Sequence, residues 1–164
     1  RTLCNDVGEA LGIGAHMVSL RRTKVVNFRE KDSVILQDVK DSYEHWKESG
    51  DETHLREVVL PMESLLAHLP KIVLKDTAVD AVCHGAGLAI PGIADADERI
   101  RGGDAVSMMT LKGEGVAIGR ALLDAKQMMK KGSGMAADTK RVLMKTGTYP
   151  KAWKTKSKSL NSQD

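Results

Sequence analysis

Past Pro70 this chain has no room for a long element of any kind. Gly85, Gly92, Gly102, Gly103, Gly113, Gly132 and Gly134 cut it into short apolar pieces. Glycine takes positive φ freely and weakens helix or strand interiors, so such residues fall where the backbone reverses. "KIVL" reads as a short buried strand and "DTAVDAVCHGA" as a helix capped by Asp76 and ended by Gly85. "GLAIPGI" reads as a strand with a Pro-Gly break. "RIRGGDAVSMMTL" gives a turn and then a strand, "KGEG" a tight hairpin turn, and "VAIGRALL" the returning strand. "GSGMAADTKRVLM" supplies one more strand. Several short strands, Gly-rich turns and one helix predict a small, partly closed barrel. Aromatic residues are only 3% of the chain, so its core must be built from Val, Leu, Ile, Ala and Met.

The first seventy residues follow another rhythm. Thr2 can cap a helix whose apolar positions are Leu3, Val7, Ala10 and Leu11, ended by Gly12 and Gly14. "HMVSLRRTKVVNF" alternates loosely and predicts a strand with a bulge. Asp38 begins a polar helix through Trp46, stopped at "ESGD". Asp51 or Thr53 begins another through Leu60, and Pro61 suits the first turn of a third, "PMESLLAHL". Pro70 closes this stretch, and a domain boundary is expected there.

Charge changes sign at the same place. Residues 1–70 carry 9 Lys/Arg against 12 Asp/Glu, whereas residues 71–164 carry 16 against 10. Thr139 to Gln163 holds seven cations and no acid. Charge alone leaves two readings open, a solvated tail or a surface for a polyanion such as nucleic acid.

Other classes are disfavoured. No run of 18 apolar residues exists to span a membrane, and no secretory leader is visible. His16, His45, His54, His68 and His84 stand singly, which argues against zinc. "GIG" and "GSG" are too short for a dinucleotide fingerprint. Cys83 and His84 are adjacent, and neighbouring helix side chains point about 100° apart, so a buried thiol fits better than a nucleophile–base pair. Cys4 and Cys83, far apart, fit a reduced cytosolic protein. Met108, Met109, Met128 and Met129 read as core filler, and Trp46 and Trp153 as packing anchors.

The opening segment carries a denser signal. Arg1-Thr2-Leu3, Leu11-Gly12, Gly14-Ala15-His16-Met17 and Leu20-Arg21-Arg22-Thr23 resemble the third conserved motif of the TruB and dyskerin family of RNA pseudouridine synthases. "KDTAVDAVCHGAGLAIPGI", "GDAVSMMTLKGEGVAIGRAL" and "GTYPKAW" resemble the PUA domain, the RNA-binding pseudobarrel that follows the catalytic domain in the archaeal and eukaryotic branch. The resemblance covers nearly the whole chain and fades after Trp153.

It implies an α+β fold. Residues 1–70 would be the mainly helical C-terminal part of the catalytic domain, 71–153 the PUA domain and 154–164 a basic polar tail. The family's Tyr-Ile before Arg1 and its catalytic aspartate segment are not among these residues. The expectation is a C-terminal part of the enzyme, inactive alone, whose full-length parent isomerises uridine in rRNA or tRNA. By motif position Arg1 would hold the aspartate ionised, since a guanidinium matches a carboxylate and lowers its pKa. Leu3 would help wall the pocket for the flipped uridine.

The resemblance further implies RNA contacts by Arg21, Arg22, Lys75, Asp76, His84, Gly85, Ala86, Gly87, Lys140 and Arg141, although Arg21 and Arg22 could instead brace acids. No metal or organic cofactor is expected. The implied partners are an H/ACA guide RNA, substrate rRNA or tRNA and the small accessory proteins of that particle, with no membrane. The cytoplasm is expected for an archaeal protein and the nucleolus for a eukaryotic one. The alternative is a stand-alone PUA-type RNA-binding module without catalysis.

Overall fold

The structure, a computed structural model, describes residues 1–151. The expected basic tail and Trp153 lie outside the described residues. The chain divides into two compact units, Arg1–Val59 and a second from Leu60 onward.

In the first unit, α1 spans Thr2–Ala10. Its N-cap is Arg1 rather than Thr2, which is the first helical residue. After Leu11, Gly12 and Gly14 both take positive φ, near 70°, and reverse the chain. The N–H groups of Ile13 and Gly14 donate to the Gly8 carbonyl at 3.2 and 3.1 Å. A Cβ on Gly8 would lie 2.2 Å from the Ala15 nitrogen, so the returning chain presses onto a residue that must lack a side chain.

The strand expected over "HMVSLRRTKVVNF" does not form. Residues 15–23 have no regular structure, and only the two-residue strands β1 (Lys24–Val25) and β2 (Phe28–Arg29) pair. The turn joining them falls inside the expected strand, with Val26 at φ 53°, costly for a β-branched side chain. The loose alternation has no flat buried face to satisfy: Val18 and Leu20 are both exposed.

Helix α2 spans Leu36–Ser49 and is longer at both ends than its sequence signals. Gly50, at φ 75°, ends it by donating to the Trp46 carbonyl at 2.8 Å, a left-handed cap. Trp46 is half-buried, with its ring 5.5 Å from that of Tyr43. Helix α3 is short, Thr53–Val58.

The second unit begins with α4, Glu63–Leu66, which packs onto the barrel. Leu66 is buried against Gly115, whose N–H donates to Glu63 Oε1 at 2.9 Å. Six strands follow: β3 (Lys71–Leu74), β4 (Leu88–Ala89), β5 (Ile93–Ala96), β6 (Ala105–Thr110), β7 (Gly115–Ala121) and β8 (Met135–Val142). Their order across the sheet is β4-β8-β7-β6-β3-β5. Only β3 and β6 run parallel. The two outermost strands, β4 and β5, are consecutive in the chain, joined by a single 3₁₀ turn at Ile90–Gly92. That turn bends the sheet's ends towards one another and makes the pseudobarrel. "GLAIPGI" is therefore two strands on opposite edges, because Pro91 cannot donate to a ladder.

Helix α5 spans Asp76–Cys83; Lys75, not Asp76, is its N-cap. Helix α6, Ala125–Lys130, was not expected at all. It buries Met128 while Met129 stays 59% exposed, so Met129 is not core filler as expected. Met108 and Met109 are buried, alongside Ile72, Leu74, Val79, Val82, Leu88, Val106 and Val116. This is the aliphatic and methionine core that scarce aromatics demand. Among the described residues no helix is long and apolar enough to cross a membrane.

Candidate nucleic-acid interface

Helix α5 sets the site. At its start, the Lys75 backbone N–H donates to the Gly92 carbonyl at 2.8 Å and its ammonium to the Pro91 carbonyl at 3.0 Å. Lys75 thus ties the helix to the turn that joins β4 and β5. Asp76 is exposed in the first helical turn, where the helix dipole favours an acid.

At its end the chain reverses through Gly85, at φ 83°. Gly85 N–H donates to the Val82 carbonyl at 2.8 Å and Ala86 N–H to the Ala81 carbonyl at 3.1 Å, which satisfies the last carbonyls of the helix. The loop then lies against β8. The Thr139 hydroxyl donates to the Ala86 carbonyl at 2.7 Å. A Cβ on Gly87 would sit 2.5 Å from Met135 Cε and 3.3 Å from the Ala137 carbonyl oxygen. His84, Gly85, Ala86 and Gly87 are therefore brought together with β8, which carries Lys140 and Arg141.

Those two cations are not equivalent. Arg141 pairs with Ile118 in the β7–β8 register, whereas Lys140 is the extra residue of a bulge between Arg141 and Thr139 and has no partner opposite it. The Lys140 ammonium is also paired with the Asp138 carboxylate at 2.6 Å. Between the two ends of α5 runs a groove of about 270 Å³, lined by Ala78, Ala81, Leu88, Pro91 and the backbone of Gly87 and Gly92. It runs along α5 from Thr77 to Val82, and His84 lines separate hollows beyond it. A groove with an apolar floor and glycines on its rim admits a flat base or a sugar-phosphate edge.

His84 sits over a second hollow. Its Nδ1 is 2.8 Å from the Asp80 carbonyl oxygen and 3.5 Å from Asp80 Oδ1. Asp80 is buried, while the His84 ring is about half exposed. Cys83 is buried as expected. Burial pushes its thiol pKa up, the Asp80 charge adds to this, and a thiol held protonated is a poor nucleophile.

The first-unit residues stand apart from this site in kind. Arg21 grips Glu30 through Nε, at 2.9 and 3.0 Å, and Nη2, at 2.7 Å, so it braces an acid. Arg22 lines a shallow hollow of about 180 Å³ with Lys24, Phe28 and Arg29. Arg1 is exposed at the cap of α1, and among the described residues its guanidinium makes no ion pair. Leu3 is 74% exposed. Among the described residues no group of three or more His, Cys, Asp or Glu stands close enough to hold a metal.

One residue of the "GTYPKAW" segment has a partner that the sequence does not disclose. Tyr149 is buried, and its hydroxyl donates to Glu114 at 2.6 Å. In an aromatic-poor chain, a tyrosine between Gly147 and Pro150 was the available signal.

Comparison with known proteins divides the chain between residues 67 and 70, later than the Val59 boundary of the compact units. The model for the tRNA pseudouridylate synthase B C-terminal domain matches residues 1–67. The PUA domain model matches residues 70–143. The chain is 57% identical over 157 residues to a probable tRNA pseudouridine synthase B of Methanopyrus kandleri, covering 96% of this chain and 46% of that protein. Among solved structures it is similar to a chain of the archaeal box H/ACA sRNP Nop10-Cbf5 complex, at TM-score 0.80 and 46% identity, covering 93% of this chain and 50% of that one. It is also similar to a chain of an H/ACA RNP bound to a substrate RNA containing 2'-deoxyuridine, at TM-score 0.77 and 47% identity over 93% of this chain and 49% of the other. The chain thus spans about half the length of the relatives it matches.

Proposed function

We propose, from the premise that this chain belongs to the tRNA pseudouridine synthase B family and carries its C-terminal and PUA domains, that it is the RNA-gripping part of a uridine-to-pseudouridine isomerase. The observation that carries this reading is the pair of matches in family order, residues 1–67 then 70–143, on a chain 57% identical to a named relative. The isomerisation belongs to the whole enzyme, twice this length in the relatives.

The division of labour falls near Pro70. Residues 1–70 serve the catalytic domain, where Arg1 holds the carboxylate that works on the uridine and Leu3 walls the base pocket. Residues from 71 onward bind RNA. The α5 groove, the His84–Gly87 loop and β8 grip the stem and single-stranded tail of an H/ACA guide, with Lys75, Lys140 and Arg141 supplying phosphate affinity and Asp76 beside them. Guide pairing then chooses the target in rRNA or tRNA, so this surface reads shape more than sequence. The matched complexes support accessory proteins of the Nop10 kind as partners, and the archaeal relatives support a cytoplasmic setting.

The test is binding of the chain to an RNA hairpin with a single-stranded ACA tail, between 50 and 200 mM salt. Even a few phosphate contacts should cost about tenfold or more in affinity over that range. Affinity indifferent to salt would overturn the reading.

A further inference from the structure

Beyond β8 the chain doubles back. The N–H groups of Leu143 and Met144 both donate to the Val116 carbonyl, at 2.9 and 3.1 Å, which keeps the chain against β7. It then reverses. The Thr148 hydroxyl donates to the Lys145 carbonyl at 2.8 Å, and Gly147 takes φ 81°. The reversal lays Tyr149 on the β6–β7 turn, where its hydroxyl donates to Glu114 Oε2 at 2.6 Å. The same oxygen accepts from the Thr110 hydroxyl at 2.9 Å. Thr110 Oγ1 in turn accepts the backbone N–H groups of Lys112 and Glu114, at 3.2 and 3.1 Å. The Lys112 ammonium stands 5.7 Å from the centre of the Tyr149 ring.

On its other side this strap faces α5. Thr146, Gly147, Pro150 and Lys151 close an open pocket of about 440 Å³ with Asp80 and His84. The strap has no ladder partner of its own, since β8 ends at Val142. A wall of that kind must be ordered before the ligand arrives, or its ordering is deducted from affinity. A phenol donating to a carboxylate belongs to the stronger, charge-assisted class of hydrogen bonds.

The geometry points to Tyr149 and Glu114 as positioning residues for RNA recognition: the Tyr149–Glu114–Thr110 hydrogen-bond chain seats residues 145–151 as the wall of the pocket beside His84. This rests on the RNA-binding reading above, and its test separates the two.

Tyr149→Phe removes one hydroxyl and keeps the ring. In the RNA-free chain it should speed amide hydrogen exchange about tenfold at Leu143 and Met144, the hydrogen-bonded amides at the root of the strap, leaving the β6–β7 ladder unchanged. It should weaken binding of the ACA-tailed hairpin about fivefold, the worth of one ordinary hydrogen bond. Glu114→Ala should match it, while Glu114→Gln, whose amide oxygen still accepts from the phenol, should stay within about threefold of wild type. Lys151→Ala should cost less in the Tyr149→Phe background than in wild type, whereas Arg141→Ala should cost the same in both. Unchanged exchange at Leu143 and Met144 overturns the proposal. So does RNA affinity within twofold of wild type when exchange has risen, or a Glu114→Gln loss equal to that of Glu114→Ala. A wild-type chain that does not bind the RNA sinks the functional reading, and the exchange measurement still decides the latch.

Discussion

Gly119 and Glu114 lie on the same strand region and are constrained in opposite ways, one by lack of space and the other by charge. A Cβ on Gly119 would lie 2.3 Å from Met108 Cε and 2.7 Å from the Asp138 carbonyl oxygen. The methionine could move, but the β8 backbone is held by its ladder to β7, where Gly119 pairs with Thr139 and Arg120 with Asp138. Gly119→Ala should therefore lower stability by about 1–3 kcal/mol in urea unfolding, the usual cost of overpacking. Glu114 is held below the usual glutamate range, first by the Tyr149 hydroxyl and then by Thr110. A lowered folded pKa contributes stability that is complete above the unfolded value, near about 4.3, and is lost as pH falls through the folded one. Tyr149 is shifted the other way, pushed above the usual phenol range chiefly by the Glu114 hydrogen bond, so its share is lost only at strongly alkaline pH. Thermal unfolding of wild type should weaken below about pH 4, and on the alkaline side from about pH 8.5 upward, where the unfolded Cys83 thiol ionises and the folded one resists. In Glu114→Gln that acid-side weakening should be smaller; equal slopes would show that the carboxylate is not coupled to folding.

Among the elements, those with a strong period or a turn residue were legible. "KIVL", "DTAVDAVC" and the "KGEG" hairpin appear where their residues place them, because short apolar runs between glycines have few other ways to bury themselves. The expected strand over residues 16–28 failed because its alternation was read without a partner sheet, and exposed Val18 and Leu20 show that none is present in its unit. Helix α6 was missed although its cap was there to read. Asp124 and Gln127 stand at capping-box spacing, and the Asp124 N–H donates to Gln127 Oε1 at 3.3 Å. The Asp124 carboxylate accepts the Gly102 N–H at 2.8 Å, so the residue at the helix start also holds the turn before β6. Asp124→Ala should cost about 1 kcal/mol by thermal unfolding. In the candidate site, the loop residues His84 to Gly87 were legible by resemblance. The seating by Thr139 and the Tyr149–Glu114 pair were not, because a hydroxyl 53 residues from its acceptor leaves no local pattern.

At the scale of the whole molecule, charge and geometry make separable predictions. Arg141→Ala should weaken RNA binding about equally across sequences and reduce the slope of log affinity on log salt by about 1. Lys140→Ala should do less, since its ammonium already serves Asp138 and must leave that pair to meet a phosphate. Titrations at three salt concentrations distinguish the two; equal slopes for both variants would mean that the Asp138 pair is not kept in solution.

The single turn at Ile90–Gly92 makes the β-structure a hoop fastened by a clasp rather than welded shut. Elsewhere around its circumference neighbouring strands share a ladder; between β4 and β5 the closure is the covalent link itself, gripped by Lys75 at Pro91 and Gly92 and tied by the Ile90 N–H to the Gly134 carbonyl. Because the link is continuous backbone, those two edges cannot part further than three residues allow. A strand of nucleic acid lying along the α5 groove would cross that link from outside, so the clasp of the hoop and the proposed point of grip are the same place.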